Sequence, residues 1–257
     1  MRKRLTFSLI GAAVAVLAAA TAAFSTTLSA PDGNTQGLEV SIKPTKLYKK
    51  KPTPITLNVV TKTGSTKDPN GKPVPVTQAV IDFDKYTKLE SVGYPTCDVT
   101  KLEAVTTEVG LENCKRAKIG TGHAMVLLPA SKGVIPESLT VTAYNGKPQG
   151  KNPVVLLQSY GATPVQVTQV LVGVVTPFNK EGYGPRLTVT VPPIAGGAGA
   201  LTEFTASIFK KYSYKGKQRS YVSATCKTKK LKARGKFVFK DGQSLTPTLT
   251  GKCTQKP

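Results

Sequence analysis

Residues 38–43 read LEVSIK, and their alternation decides the fold class. Leu38, Val40 and Ile42 are separated by Glu39, Ser41 and Lys43, a period of two that puts apolar side chains on one face of a strand. The same period recurs at Ile55-Leu57-Val59, Ala79-Ile81-Phe83, Leu139-Val141-Ala143, Leu187-Val189-Val191, Phe204-Ala206-Ile208 and Phe237-Phe239. Residues 154–157 and 167–175 read as apolar runs, expected of strands covered on both faces. Gly and Pro fall evenly between the runs, with Asn145-Gly146 and Asp241-Gly242 as expected turns. Only 101–113 has helical potential, and its Thr and Val content beside two cysteines favours a stapled loop. About a dozen short strands predict an all-β fold, an antiparallel β-sandwich of immunoglobulin-like or jelly-roll-like kind; a closed barrel satisfies the same pattern.

The N-terminus sets the compartment. Arg2, Lys3 and Arg4 precede an uncharged stretch from Leu5 to Ala23, which ends in Ala20-Thr21-Ala22, the small-x-small pattern of signal-peptide cleavage. A retained anchor is the rival reading, since the stretch approaches the roughly 20 residues that span a bilayer, but it is Ala-rich and diluted by Thr6, Ser8, Gly11 and Thr21. The expectation is a signal peptide at 1–23 and one secreted domain at 24–257, extracellular or in the cell envelope, with no membrane insertion after cleavage. Residues 64–77 read as a long exposed loop and 192–200 as a hinge or loop. Subtracting the leader's three cations from the net charge of +22 leaves +19. Such a charge attracts polyanions over long range.

Cys97, Cys114, Cys226 and Cys253 allow three pairings. An even count behind a signal peptide reads as disulfides. Proximity favours Cys97 with Cys114 and Cys226 with Cys253, closing loops of roughly 18 and 28 residues that contribute about 3 kcal/mol each in the chain-entropy picture. A zinc site would need a C-x-x-C or paired-His spacing that the chain lacks.

Several segments resemble a set of uncharacterised secreted proteins of actinobacteria. These are AVIDFDKYTKLESVGYPTC (79–97), CKRAKIGTGHA (114–124), YGPRLTVTVPP (183–193), LTEFTASI (201–208), YVSATC (221–226) and the closing FVFKDGQSL and GKC. The resemblance runs from about residue 38 to 253 through cysteines, turn glycines and strand cores. It implies the fold and the disulfides, including a strand with Cys226 paired to the C-terminal cysteine. It implies no activity, cofactor or catalytic residue.

Little in the chain points to catalysis. His123 is the one histidine; a general base would need an activated partner, no G-x-S-x-G elbow exists, and a strand histidine is the simpler reading. Asp82 and Asp84 share one strand face. They suit a metal or a carbohydrate hydrolase, against a solvated face neutralised by Lys85 and Lys88. Asp98, Glu103, Glu108 and Glu112 cluster without calcium-loop spacing, and the Gly-rich 120–122 and 196–199 lack the context of a nucleotide loop. No cofactor and no metal are expected.

The basic stretch 210–240 holds twelve Lys or Arg and no acid. Within it Lys210, Lys211, Lys215, Lys217, Arg219, Lys227, Lys229, Lys230 and Lys232, with Tyr212 and Tyr214 as planar contacts, form the expected polyanion-binding set; soluble basic loops are the competing reading. Lys46–Lys51 (KLYKKK) is a second run with the same chemistry. The functional expectation is a secreted, non-catalytic binding or structural module meeting an anionic wall polymer or acidic polysaccharide, nucleic acid not being expected. The alternatives are a secreted hydrolase using Asp82 or Asp84, and a subunit of a surface assembly.

Overall fold

The computed structural model describes residues 22–256, so the expected leader at 1–23 lies, except for its last two residues, outside the described residues. In chain order come β1 (Ala22–Ser29), β2 (Asn34–Lys43), β3 (Lys46–Tyr48), β4 (Thr53–Pro54), β5 (Thr56–Ser65), β6 (Val76–Asp84) and β7 (Thr87–Leu89). The helix α1 (Thr107–Cys114) precedes β8 (Lys118–Pro129), β9 (Val134–Gln149), β10 (Asn152–Gly161), β11 (Val167–Pro177) and β12 (Tyr183–Thr190). Then follow β13 (Ala200–Ile208), β14 (Lys211–Tyr214), β15 (Lys217–Ser220), β16 (Val222–Ala224), β17 (Lys230–Phe239), β18 (Ser244–Leu245), β19 (Thr248–Lys252) and β20 (Thr254–Lys256).

Thirteen of these strands form one antiparallel sheet in the order β1-β2-β5-β13-β8-β9-β10-β11-β12-β6-β17-β18, with β19 pairing β17 beside β18. The path curls until β1 lies beside β19, where the ring of Phe24 covers Gly251 at a point with no room for a Cβ. The protein is therefore all-β with two disulfides, as expected, but its strands make one nearly closed, barrel-like sheet and not a clear two-sheet sandwich. The local alternation is the same in both architectures. Closure depends on pairings far apart in the chain, above all β13 between β5 and β8, and β6 between β12 and β17.

The alternation puts Leu38, Val40, Ile42, Leu57, Ile81, Phe83, Val126, Val141, Leu157 and Phe237 into the core. Glu39, Lys62, His123, Ser138 and Thr140 occupy the intervening, outward positions, the reverse of the apolar-out pattern of an outer-membrane barrel. No helix among the described residues is long and apolar enough to cross a membrane.

The run 154–157 is buried along its whole length because it has two cores. Val155 and Leu157 face the interior, while Val154 and Leu156 meet Leu102, Ala117, Tyr144 and the Cys97–Cys114 pair outside. The stapled segment is not only a loop. Its second half winds into α1, whose first turn is capped by Thr106 accepting from the Val109 amide. Gln158 pins the segment by donating from Nε2 to the carbonyls of Leu102, Val105 and Thr106 at 3.2–3.3 Å.

Asp241-Gly242 turns as expected, with Gly242 at φ +86. Asn145-Gly146 does not; both lie inside β9. Asn145 is a buried hub, donating from Nδ2 to the carbonyls of Tyr94 and Pro95 and accepting from the Tyr221 hydroxyl at 3.1 Å. Gly146 is needed because a Cβ there would press on Val154 at 2.7 Å.

Candidate functional site

The two aspartates do not sit on a solvated face. Asp82 (2 % exposed) points outward from β6 but lies between Arg186 of β12 and Arg234 of β17, its register neighbours. Arg186 donates from Nε at 2.6 Å and Nη2 at 3.0 Å; Arg234 donates from Nε at 3.0 Å and Nη2 at 2.8 Å. The Phe178 ring lies 3.7 Å from the Arg186 guanidinium, and Tyr183 lies 4.7 Å from that of Arg234. Burial acts to raise the Asp82 pKa, but hydrogen bonds from Arg186 and Arg234 outweigh it and hold the carboxyl below its ordinary value. Asp84 accepts from the amides of Tyr86 and Lys232, and burial pushes its carboxyl up. Neither Lys85 nor Lys88 is the neutralising partner of Asp82.

His123 and Asp98 are engaged locally, whereas Glu137 is fully buried, its Oε2 accepting from the Val165 amide at 3.1 Å and its Oε1 without a partner among the described residues. His123 Nε2 and the Ser138 hydroxyl are 2.8 Å apart on the outer face of β8 and β9. Asp98 caps the turn at Thr100 and pairs with Lys147. Among the described residues no three His, Cys, Asp or Glu side chains stand close enough to hold one metal ion.

The expected polyanion set divides in two. Lys210, Lys211, Lys215, Lys217 and Arg219 lie on the β14–β15 hairpin or beside it, closed by Lys215 and Gly216 at φ +50 and +70, the positive values a two-residue I′ turn requires. Its aromatic residues fasten the hairpin to segment 89–94. The Tyr212 hydroxyl donates to the carbonyls of Glu90 and Val92, its ring is 5.0 Å from that of Tyr94, and Tyr214 lies flat over Gly93. Arg219 pairs with Glu90. Tyr212, Tyr214 and Arg219 thus serve the hairpin's own docking, leaving its lysines exposed. Lys227, Lys229, Lys230 and Lys232 lie beyond the far end of β16, which separates them from the hairpin.

The second group has other company. Below the Cys226–Cys253 disulfide, β20 pairs in parallel with β3. The Cys226 amide donates to the Tyr48 carbonyl at 3.0 Å, and the Cys253 amide donates to the Lys229 carbonyl. Gln255 Nε2 ties the carbonyls of Cys226 and Lys227 at 2.9 and 3.0 Å. These bonds gather residues 48–51, 226–230 and 252–256, which carry Lys49, Lys50, Lys51, Lys227, Lys229, Lys230, Lys252 and Lys256; the Lys227 ammonium itself lies 5.2 Å from the Tyr86 ring. A hollow of about 620 Å³ is lined by Tyr48, Lys49, Lys50, Lys51, Gln255 and Lys256. Lys51 Nζ stands 4.1 Å from the Tyr48 ring centre and Lys256 Nζ 5.3 Å. Among the described residues none of these eight ammonium groups pairs with a carboxylate. No Asp or Glu occurs in residues 40–67, 204–240 or 242–257, which supply the whole cluster.

The run at 46–51 was legible as basic, but Lys252 and Lys256 carried no signal of their own. Only the disulfide and the β3–β20 pairing place them beside it. Comparison with protein-family models, curated proteins and solved structures returns no match.

Proposed function

We propose that the chain is a secreted, non-catalytic binding module that holds an anionic wall polymer or acidic polysaccharide at the lysine cluster around Tyr48. The observation that carries this reading is a set of eight lysines, none paired with a carboxylate among the described residues, on three gathered segments without a single acid; Lys49, Lys50, Lys51 and Lys256 line the open hollow at Tyr48. Like charges so placed repel one another, and a chain that only needed solubility would disperse them. A polymer of phosphates or carboxylates relieves the repulsion, and the Tyr48 ring offers a flat contact for a sugar. The hairpin lysines form a secondary, weaker patch. The hydrolase reading has no support from the site, because Asp82 and Asp84 are both committed to internal partners.

Co-sedimentation of the oxidised protein with purified cell wall across a salt series tests this. Retention should be strong at low salt and collapse by a few tenths molar, where the Debye length falls to a few ångströms. Exchanging Lys49, Lys50, Lys51, Lys227, Lys229 and Lys230 for Gln should lower affinity at least about tenfold, since each charge-assisted contact contributes about 1.5 kcal/mol or more. The same exchange at Lys210, Lys211, Lys215 and Lys217 should cost less. Equal losses from both variants, or no retention by the native protein, would remove the site assignment.

A further inference from the structure

Independently of the basic surface, the interior of the sheet is incompletely filled. A cavity of about 100 Å³ lies between the two sides of the barrel, walled by Val59, Leu157, Leu187, Phe204, Ala206, Phe237 and other apolar side chains. Two of its few polar neighbours are already engaged: the Thr63 hydroxyl donates to Gln36 at 2.8 Å and the Tyr221 hydroxyl to Asn145. A buried water needs two to four polar partners, so this space suits an apolar guest better.

At one end the cavity is bounded by Val76, Val191 and Leu201, and the same three residues form the inner wall of a second space of about 370 Å³. That groove runs beneath the loop of residues 192–199, which carries positive φ at Ala195, Gly196 and Gly197. The groove has no carboxylate in its lining, and its one charge is Lys240, whose exposed ammonium lies 3.4 Å from where a Gly197 Cβ would stand.

We infer that the cavity and groove together form a site for a medium-length alkyl chain with an anionic head, the tail inside the barrel and the carboxylate or phosphate monoester at Lys240. The volumes set the length. A dry apolar cavity of about 150 Å³ takes a benzene, so roughly 100 Å³ accommodates about four carbons. The remaining methylenes lie under the 192–199 loop, reached when the Val76, Val191 and Leu201 side chains that wall both spaces move aside. The net charge of +22 favours an anionic amphiphile over a cationic one.

The test is titration of the oxidised protein with decanoate, decyl phosphate and decanol, followed by methyl NMR and calorimetry. Saturable binding of at least one of the two anions should shift methyls of Leu157, Leu187, Val191 and Leu201. Ala206→Leu, which fills the cavity, should weaken binding about tenfold or more while leaving the melting temperature unchanged or higher. Ala79→Val, from the facing wall, serves the same purpose if that variant folds poorly. Lys240→Ala should weaken the bound anion about tenfold and leave decanol unaffected; decanoate and decyl phosphate separate the two head chemistries. Shifts confined to outward-facing residues, native-like affinity in the filled variants, or no binding of either anion would overturn the assignment.

Discussion

Asp82→Ala will destabilise the protein by about 4 kcal/mol, the middle of the range for removing one partner of a buried charge group. For a domain of this size that is a fall in melting temperature of about 12 °C. The cause is local. Arg186 and Arg234 converge on one carboxylate that is itself 2 % exposed. Without it the two guanidiniums face each other against the Phe178 ring, and among the described residues Arg186 has no second carboxylate while Arg234 keeps Glu181. Asp82→Asn, which keeps the shape, should show a smaller loss. A cost below about 1 kcal/mol for the Ala variant would mean the triad acts as an ordinary surface ion pair.

The same group sets an acid dependence. Because the folded pKa of Asp82 is lower than its unfolded value of 3.8, its contribution is complete above that value and declines as pH falls through the folded pKa. Asp84 has the opposite sign: its folded pKa is raised, so its contribution is present below 3.8 and disappears as pH rises through the folded value. Urea midpoints between pH 2.5 and 5 should therefore fall with acid in the native protein and fall less, or reverse, in Asp82→Asn.

Gly122→Ala should cost about 3 kcal/mol, at the upper end of ordinary overpacking. Gly122 and Gly120 occupy core-facing positions of β8, and a Cβ at either would strike the β13 backbone, at the carbonyl oxygens of Thr205 and Ser207. Backbone cannot swing aside as a side-chain tip can, so β8 and β13 must part; glycine kinks are a general means of closing a sheet. Gly64→Ala in β5 is the control, since its Cβ would meet the Thr35 hydroxyl at 3.2 Å and the Gly71 carbonyl at an ordinary 4.0 Å, and its cost should stay within about 1 kcal/mol. Denaturant midpoints decide the matter: equal losses at the two positions would sink the close-approach explanation.

The Gly-rich 120–122 carries no local sign of a close contact, yet it is a strand pressed against another strand. Asn145-Gly146 has the strongest short turn signature in the chain, yet its Asn is needed by Tyr94, Pro95 and Tyr221, residues that lie 50 or more positions away. Asp82 looked solvated because its two arginines are 104 and 152 residues distant. Lys85 and Lys88, close in sequence, are not the partners of Asp82, although Lys85 lies near enough to Asp84 to favour its charged form.

What the sequence determined by itself is what local chemistry determines. The period of two marked β2, β5, β6, β9, β12, β13 and β17 and put their alternating apolar residues on one face, the doubly apolar run at 154–157 pointed to a strand covered on both faces, and the spacing of the cysteines favoured the two disulfides found. Tertiary structure alone decided that the strands curl into one nearly closed sheet, that Asp82 is clamped, that the hairpin tyrosines serve docking, and that Lys49–Lys51 meet Lys227–Lys230 and Lys256. Side-chain alternation is a property of neighbours in the chain, whereas closure, ion pairing and the gathering of lysines depend on which remote strands share hydrogen bonds. That choice is made by the packing of the whole sheet.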